Sequence, residues 1–378
     1  MEGSFIPVSA PDISSSEIAR VTKVLSDGWV SGEAPIVAEF ESALTHYTGR
    51  KYAVAVNSGT SALDIAVAAL DLNVGDEVIL PAFTIISCLN EVLRRGAKPV
   101  FIDVEAHTWN ATSYFVEEAL TEKTKAVIMP HLYGLAAEIE RIELLCESRG
   151  IALIEDAAEG LGIAVGNRKV GSFGRMSTLS FYANKLITSG EGGMVLTDDP
   201  DLSEKLIQGR NLGFIPPRRF IHESIGWNYR MPALSAALGL AQMERVGPLL
   251  QKQRERGVHY QHLLGEVPCI QLPLDLHQET ENVYWVFGFV LGSGINIDAE
   301  QFMKELHTRG IGSRPFFYPL HKQPVLKAFG WESQPELIVS ENLGERGLYI
   351  PSLGTTEHDR IRVAQAVKEI ADKHASQR

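Results

Sequence analysis

Two short segments of this 378-residue chain carry side chains that could do chemistry together. The apolar run Ile151-Ala152-Leu153-Ile154 ends in Glu155-Asp156-Ala157-Ala158-Glu159, which sets an acid at the mouth of a buried strand. A second strand-like run, Ser177 to Tyr182, leads into Ala183-Asn184-Lys185 and then the Gly-rich Ser189-Gly190-Glu191-Gly192-Gly193. A lysine among apolar residues can condense with an aldehyde. An acid across the same site can keep a heterocyclic nitrogen protonated. Those two roles are what pyridoxal 5'-phosphate chemistry needs: an amine for the Schiff base and a carboxylate that holds the ring as an electron sink.

Each residue also has a plainer use. Asp156 alone would serve as a helix cap, and an isolated lysine is most often a solvated surface charge. The pairing of the two reverses that balance. Ser58-Gly59-Thr60-Ser61 follows an apolar strand and opens a helix, so its backbone N–H groups could hold a phosphate at the positive helix end; a plain N-cap fits these residues equally well. Ser180, just before Lys185, is a further hydroxyl for the same phosphate. The Ser189–Gly193 run reads as a turn that lets the backbone pass close to a bound group. Trp29, Trp227 and Phe316-Phe317-Tyr318 read as core or as ligand wall. The P-loop, the dinucleotide G-x-G-x-x-G with its later acid, His-x-x-x-His and G-x-S-x-G are all missing, which disfavours those chemistries.

These residues must be positioned by an α/β frame. The pattern gives strands at Tyr52–Val56, Glu77–Leu80, Lys98–Ile102 and Ala126–Met129. Helices are expected over Thr60–Leu70, Thr84–Arg95, Val116–Leu120 and Glu138–Ser148. Short buried strands alternating with helices predict a mainly parallel mixed sheet covered on both faces. Beyond Pro232 the pattern changes. Ala233–Arg245 and Pro248–Leu264 read as one helix bending near Gly247-Pro248. Strand Val283–Leu291 and helices Asp298–Arg309 and Glu357–Ala375 follow. The expected division is a large α/β domain over residues 1–245 and a smaller α+β domain over residues 246–378.

Composition narrows the class. The net charge of −12 gives no basic footprint for nucleic acid. No apolar run reaches the ~20 residues of a membrane-spanning helix, and Met1–Pro7 lacks the pattern of a secretory signal. Cys88, Cys146 and Cys269 are widely spaced, which predicts neither a disulfide framework nor a thiolate metal site, and a reducing cytoplasm is expected.

The chain resembles the DegT/DnrJ/EryC1/StrS sugar-nucleotide aminotransferases, of the fold type I pyridoxal phosphate enzymes. The resemblance runs through Ile6-Pro7-Val8, Gly28-Trp29-Val30-Ser31, Asn57 to Leu63, Gly75 to Pro81 and His131-Leu132-Tyr133-Gly134. It continues in the Asp156 and Lys185 segments, Trp227 to Met231, Arg314 to His321 and Leu348 to Ser352. It implies that Lys185 bonds the cofactor and shuttles protons, that Asp156 pairs with the pyridinium, and that Glu159 lies near O3′. It further implies that Ser58, Gly59, Thr60 and Ser180 hold the phosphate. Asn228 would reach the phosphate of a neighbouring subunit, in a homodimer or a tetramer with its active site at the interface. Relatives often stack an aromatic residue on the ring; here that position is Ile85, with Phe83 as the alternative cover. Substrate contacts are expected near Trp29, His131, Tyr133, Tyr318 and His321. Ser180–Lys185 and Phe316–Pro319 look most like members that use L-glutamate to aminate C4 of GDP-4-keto-6-deoxy-D-mannose, giving GDP-perosamine. A UDP-linked 4-keto sugar is the alternative. Related dehydratases carry His in place of Lys185, which disfavours that reaction, and a non-catalytic sensor or scaffold on this fold is the remaining class.

Overall fold

The computed structural model describes residues 4–215, 217–331 and 336–376; residues 1–3, at the start of the N-terminal segment read above, lie outside it. Seven strands form the central sheet: β1 (Tyr52–Val56), β2 (Glu77–Pro81), β3 (Lys98–Ile102), β4 (Thr124–Pro130), β5 (Ala152–Asp156), β6 (Met176–Ser180) and β7 (Gly193–Thr197). Their order is β1-β7-β6-β5-β4-β2-β3. The neighbours from β6 to β3 pair in parallel, while β7 is antiparallel to both β6 and β1. Six strands therefore point one way and β7 alone is reversed.

Helices α3 (Gly59–Ala68), α4 (Ser87–Arg94), α5 (Ser113–Ala119) and α6 (Ile139–Arg149) are the crossovers. Alternation along β4 shows why both faces are covered. Ala126 and Ile128 join the core with Ala62 and Leu63 of α3 and Leu89 of α4, whereas Val127 and Met129 join that with Val116 of α5 and Ile142 of α6. A strand buried on both sides reads as a continuous apolar run, which is how these strands could be found in the sequence.

The fold corrects one expected element. The stretch from Ala233 to Leu264 is two helices, α8 (Ala233–Met243) and α9 (Val246–Leu264), broken at Glu244-Arg245. Pro248 falls in the first turn of α9, where its missing N–H costs nothing. The smaller unit packs α9, α10 (Ala299–Thr308) and α12 (Glu357–His374) on a four-stranded sheet of order β8 (Ile270–Gln271), β9 (Phe287–Leu291), β11 (Gly347–Ile350), β10 (Arg314–Pro315). Ile6, from the N-terminal segment, bridges Ile311 and is buried in the same core. Gly257 of α9 lies against the Tyr284 ring, where a Cβ would approach to 2.2 Å. Gly257→Ala should therefore cost about 1–3 kcal/mol through overpacking, read as a lower urea midpoint at unchanged slope.

Candidate active site

The chemistry-bearing residues lie at the carboxyl ends of the parallel strands, where open α/β sheets place their ligands. Asp156 ends β5, Ser180 ends β6, Thr84 and Ile85 follow β2, and Ser58 follows β1. They line one cleft of about 300 Å³ with Lys185 and Glu159.

Register brings the segments together. Val56 and Ser180 both pair with Gly193 of β7, so the turn after β1 stands beside the end of β6. A Cβ on Gly193 would lie 2.3 Å from the Ser58 carbonyl oxygen, and one on Gly59 2.7 Å from Ser180 Cβ. Gly193, at the end of the Gly-rich run after Lys185, thus admits the chain's own Ser58–Gly59 backbone, while Glu191 of the same run lines the cleft. Ser58 caps α3, its Oγ accepting from Ser61 N at 3.0 Å. The Thr60 and Ser87 hydroxyls are 2.7 Å apart at the same helix start. Backbone donors, a helix N-terminus and the Thr60, Ser87 and Ser180 hydroxyls form a donor set suited to a phosphate.

Asp156 is almost fully buried. Its Oδ1 accepts from Ala158 N at 3.2 Å and Thr178 Oγ1 at 3.3 Å, and its Oδ2 from the Cys88 thiol at 3.3 Å. Burial pushes its carboxyl up from the usual range, against the Ala158 and Cys88 hydrogen bonds and the charge of Lys185. An amide, a hydroxyl and a thiol leave the carboxylate without a hydrogen-bonded cation among the described residues. A positively charged ring nitrogen would fill that place.

Lys185 follows β6 in a turn closed by its N–H on the Tyr182 carbonyl. Its Nζ lies 3.8 Å from the centre of the Trp285 ring and 4.0 Å from Glu159 Oε1. Trp285 is fixed by its indole N–H on the Asn184 carbonyl at 3.0 Å. Burial lowers the Lys185 pKa, opposed by the Glu159 and Asp156 carboxylates, and an amine so placed is a better nucleophile at neutral pH. Burial also lifts the Glu159 carboxyl to about 7, against Lys185 and the Tyr133 N–H, which reaches its Oε2 at 2.9 Å.

Of the expected ring covers, Ile85 lines the cleft and is 42% exposed, whereas Phe83 is fully buried against Tyr133, Phe316 and Phe317. The residues expected to contact substrate lie in different surroundings. His131 borders the cleft, but its Nε2 is 2.9 Å from Glu155 and its Nδ1 accepts from Ala137 N, so both nitrogens are engaged. Tyr133 is buried and stacked on Phe316 and Phe317, as core. His321 is buried with its Nε2 3.0 Å from Glu341. Tyr318 is exposed outside the cleft lining, and Trp29 lies in a separate groove with Val24 and Ile36. Asn228 is exposed beyond the cleft, on a segment bridged to Asn211.

Sequence reading missed Ser87, Cys88, Thr178 and Trp285. Thr178 carried a usable signal: it stands two residues before Ser180 on the same strand face, opposite Asp156 in register. Trp285, a hundred residues after Lys185, carried none.

The family model described as the DegT/DnrJ/EryC1/StrS aminotransferase family matches residues 11–368. The chain is 36% identical over 360 residues to a GDP-perosamine synthase of Vibrio cholerae, covering 94% of this chain and 96% of that protein. It is 36% identical over 367 residues to a GDP-perosamine synthase of Caulobacter vibrioides, covering 97% and 98%. Among solved structures, the aminotransferase TlmJ of Streptoalloteichus hindustanus superposes with a TM-score of 0.90 at 27% identity, covering 97% of this chain and 99% of that one.

Proposed function

From the premise that this chain belongs to the DegT/DnrJ/EryC1/StrS aminotransferase family, we propose that it aminates C4 of GDP-4-keto-6-deoxy-D-mannose, giving GDP-perosamine, with L-glutamate as donor. The chain is a sugar aminotransferase of fold type I that depends on pyridoxal 5'-phosphate. The observation that carries the catalytic reading is the convergence of Lys185, a cation-free Asp156 and the α3 N-terminus on one cleft. Near-full-length similarity to two GDP-perosamine synthases supports the choice of sugar.

The cofactor, when bound, supplies the electron sink that stabilises charge on the carbon losing its proton. The protein's own residues do the rest. Lys185 Nζ would be the amine that bonds the cofactor and would carry a proton between reacting carbons. Asp156 would hold the ring nitrogen protonated. Ser58, Gly59, Thr60 and Ser180, with Ser87, would hold the phosphate, Ile85 would cover the ring, and Glu159 would serve its hydroxyl. Asn228, exposed outside its own cleft, serves the cleft of a second copy in a homodimer. Amine loading and release precede keto-sugar binding, so both halves of the reaction use one cleft in turn. Three unpaired cysteines fit work in a reducing cytoplasm; among the described residues no helix is long and apolar enough to cross a membrane.

Incubation with L-glutamate and a panel of GDP-, UDP- and dTDP-linked 4-keto sugars tests the substrate. Consumption of the GDP sugar alone is expected; preference for a UDP sugar would overturn the nucleotide assignment. Gly59→Ala tests the phosphate cradle. Its Cβ meets the stiff base of Ser180, so the dissociation constant for pyridoxal phosphate should rise roughly tenfold, measured by absorbance titration of the apoprotein.

A further inference from the structure

The first turn of α4 reaches the site at three places. Ile85, just before the helix, lines the cleft, and Ser87 pairs with Thr60 at the phosphate end. Cys88 turns inward, buried in the core that α3, α4 and the sheet share, with its Sγ 3.3 Å from Asp156 Oδ2. Burial and the neighbouring Asp156 and Glu159 carboxylates hold the thiol far above its ordinary pKa, so it remains protonated and can only donate to that oxygen. The other oxygen is already held by Ala158 N and Thr178 Oγ1. Three donors from three separate segments therefore fix the carboxylate plane.

We propose that Cys88 is a positioning residue for the reaction, orienting Asp156 through its thiol so that the carboxylate faces the cofactor's ring nitrogen. The proposal rests on the reading of Asp156 given above. A thiol is a weak donor. It sets the direction of Oδ2 while leaving most of the negative charge for the pyridinium. Cys88 also connects the ring-nitrogen acid to Ser87 and Ile85 through one helical turn, so the phosphate end, ring face and acid move as a unit.

Three variants of the holoenzyme separate this role from packing. Cys88→Val keeps apolar volume and removes the donor, Cys88→Ser restores a donor, and Asp156→Asn removes the acceptor's charge. The readouts are the rate of cofactor loss on dilution, the ratio of the bound cofactor's absorbance bands at fixed pH, and kcat against KM. Cys88→Val should release cofactor roughly tenfold faster, shift the band ratio and lower kcat with nucleotide-sugar KM nearly unchanged. Cys88→Ser should return these values most of the way to wild type. Wild-type cofactor loss and bands in Cys88→Val, or no recovery in Cys88→Ser, would overturn the proposal. If Asp156→Asn also left the bands and cofactor loss unchanged, the reading of Asp156 itself would fall, and the two failures are thereby told apart.

Discussion

Lys185→Ala is expected to remove the absorbance of covalently bound cofactor and to lower turnover by about 10⁴-fold. The size follows from what the side chain does. On the proposed function its amine would be both the covalent anchor of the cofactor and the group that carries the proton between reacting carbons, so one truncation would delete both. Among the described residues no second lysine lines the cleft to take over. Its neighbours, the Trp285 ring at 3.8 Å and Glu159 at 4.0 Å, cannot act as amine nucleophiles. The phosphate donors remain, so the variant should still bind cofactor reversibly while its amine transfer stays at that low level. Borohydride reduction of the wild type followed by peptide mass mapping checks the same claim independently. An adduct on any lysine other than Lys185, or unimpaired transamination by the alanine variant, would refute it.

Asp156→Asn should lower kcat by about 10²–10³-fold, the scale of losing one pre-oriented charge in a water-poor site. The substitution is nearly isosteric, so the contacts to Ala158 and Thr178 survive in shape while the charge facing the ring nitrogen is lost. The same change should stabilise the cofactor-free protein at neutral pH. Burial raises the folded-state pKa of Asp156 above its ordinary 3.8, so between the two values the native state binds more protons than the unfolded one. Stability conferred by the wild-type carboxyl therefore falls as pH rises through that window. Asparagine removes the penalty, and the variant's advantage should be absent near pH 3 and present at pH 7. Guanidinium unfolding of the two apoproteins at both pH values measures it. An advantage that grew toward acid would contradict the assignment of Asp156 as a strained, buried carboxyl. Activity and apoprotein stability thus move in opposite directions, as expected where a site holds a charge ready for its ligand.

The sheet was legible because its strands are short, apolar on both faces and separated by helical periods. Tyr52–Val56 and Lys98–Ile102 are found within the expected limits. The α8–α9 stretch misled because both helices have favourable composition. The break at Glu244-Arg245 carries no proline or glycine of its own, and the visible Gly247-Pro248 lies just past it. Positive φ at Tyr133 and Tyr284, which no local pattern announces, turns the chain where Gly134 packs against Val283–Trp285.

Composition and order along the chain, by themselves, determined the α/β class, the acid at the end of β5, the lysine after β6 and the hydroxyl-rich start of α3. Each of these is a local feature, written in the periodicity of a strand or the chemistry of a turn. Only the folded chain decided which aromatic and hydroxyl groups surround them. Trp285 comes to Lys185 from the smaller unit, Thr178 to Asp156 from a neighbouring strand, and Cys88 from a helix two strands away. The same folding withdrew His131, Tyr133 and His321 into internal partnerships. Burial and pairing across the sheet depend on long-range contacts, so the sequence could name those side chains without saying whether they face the ligand or the core.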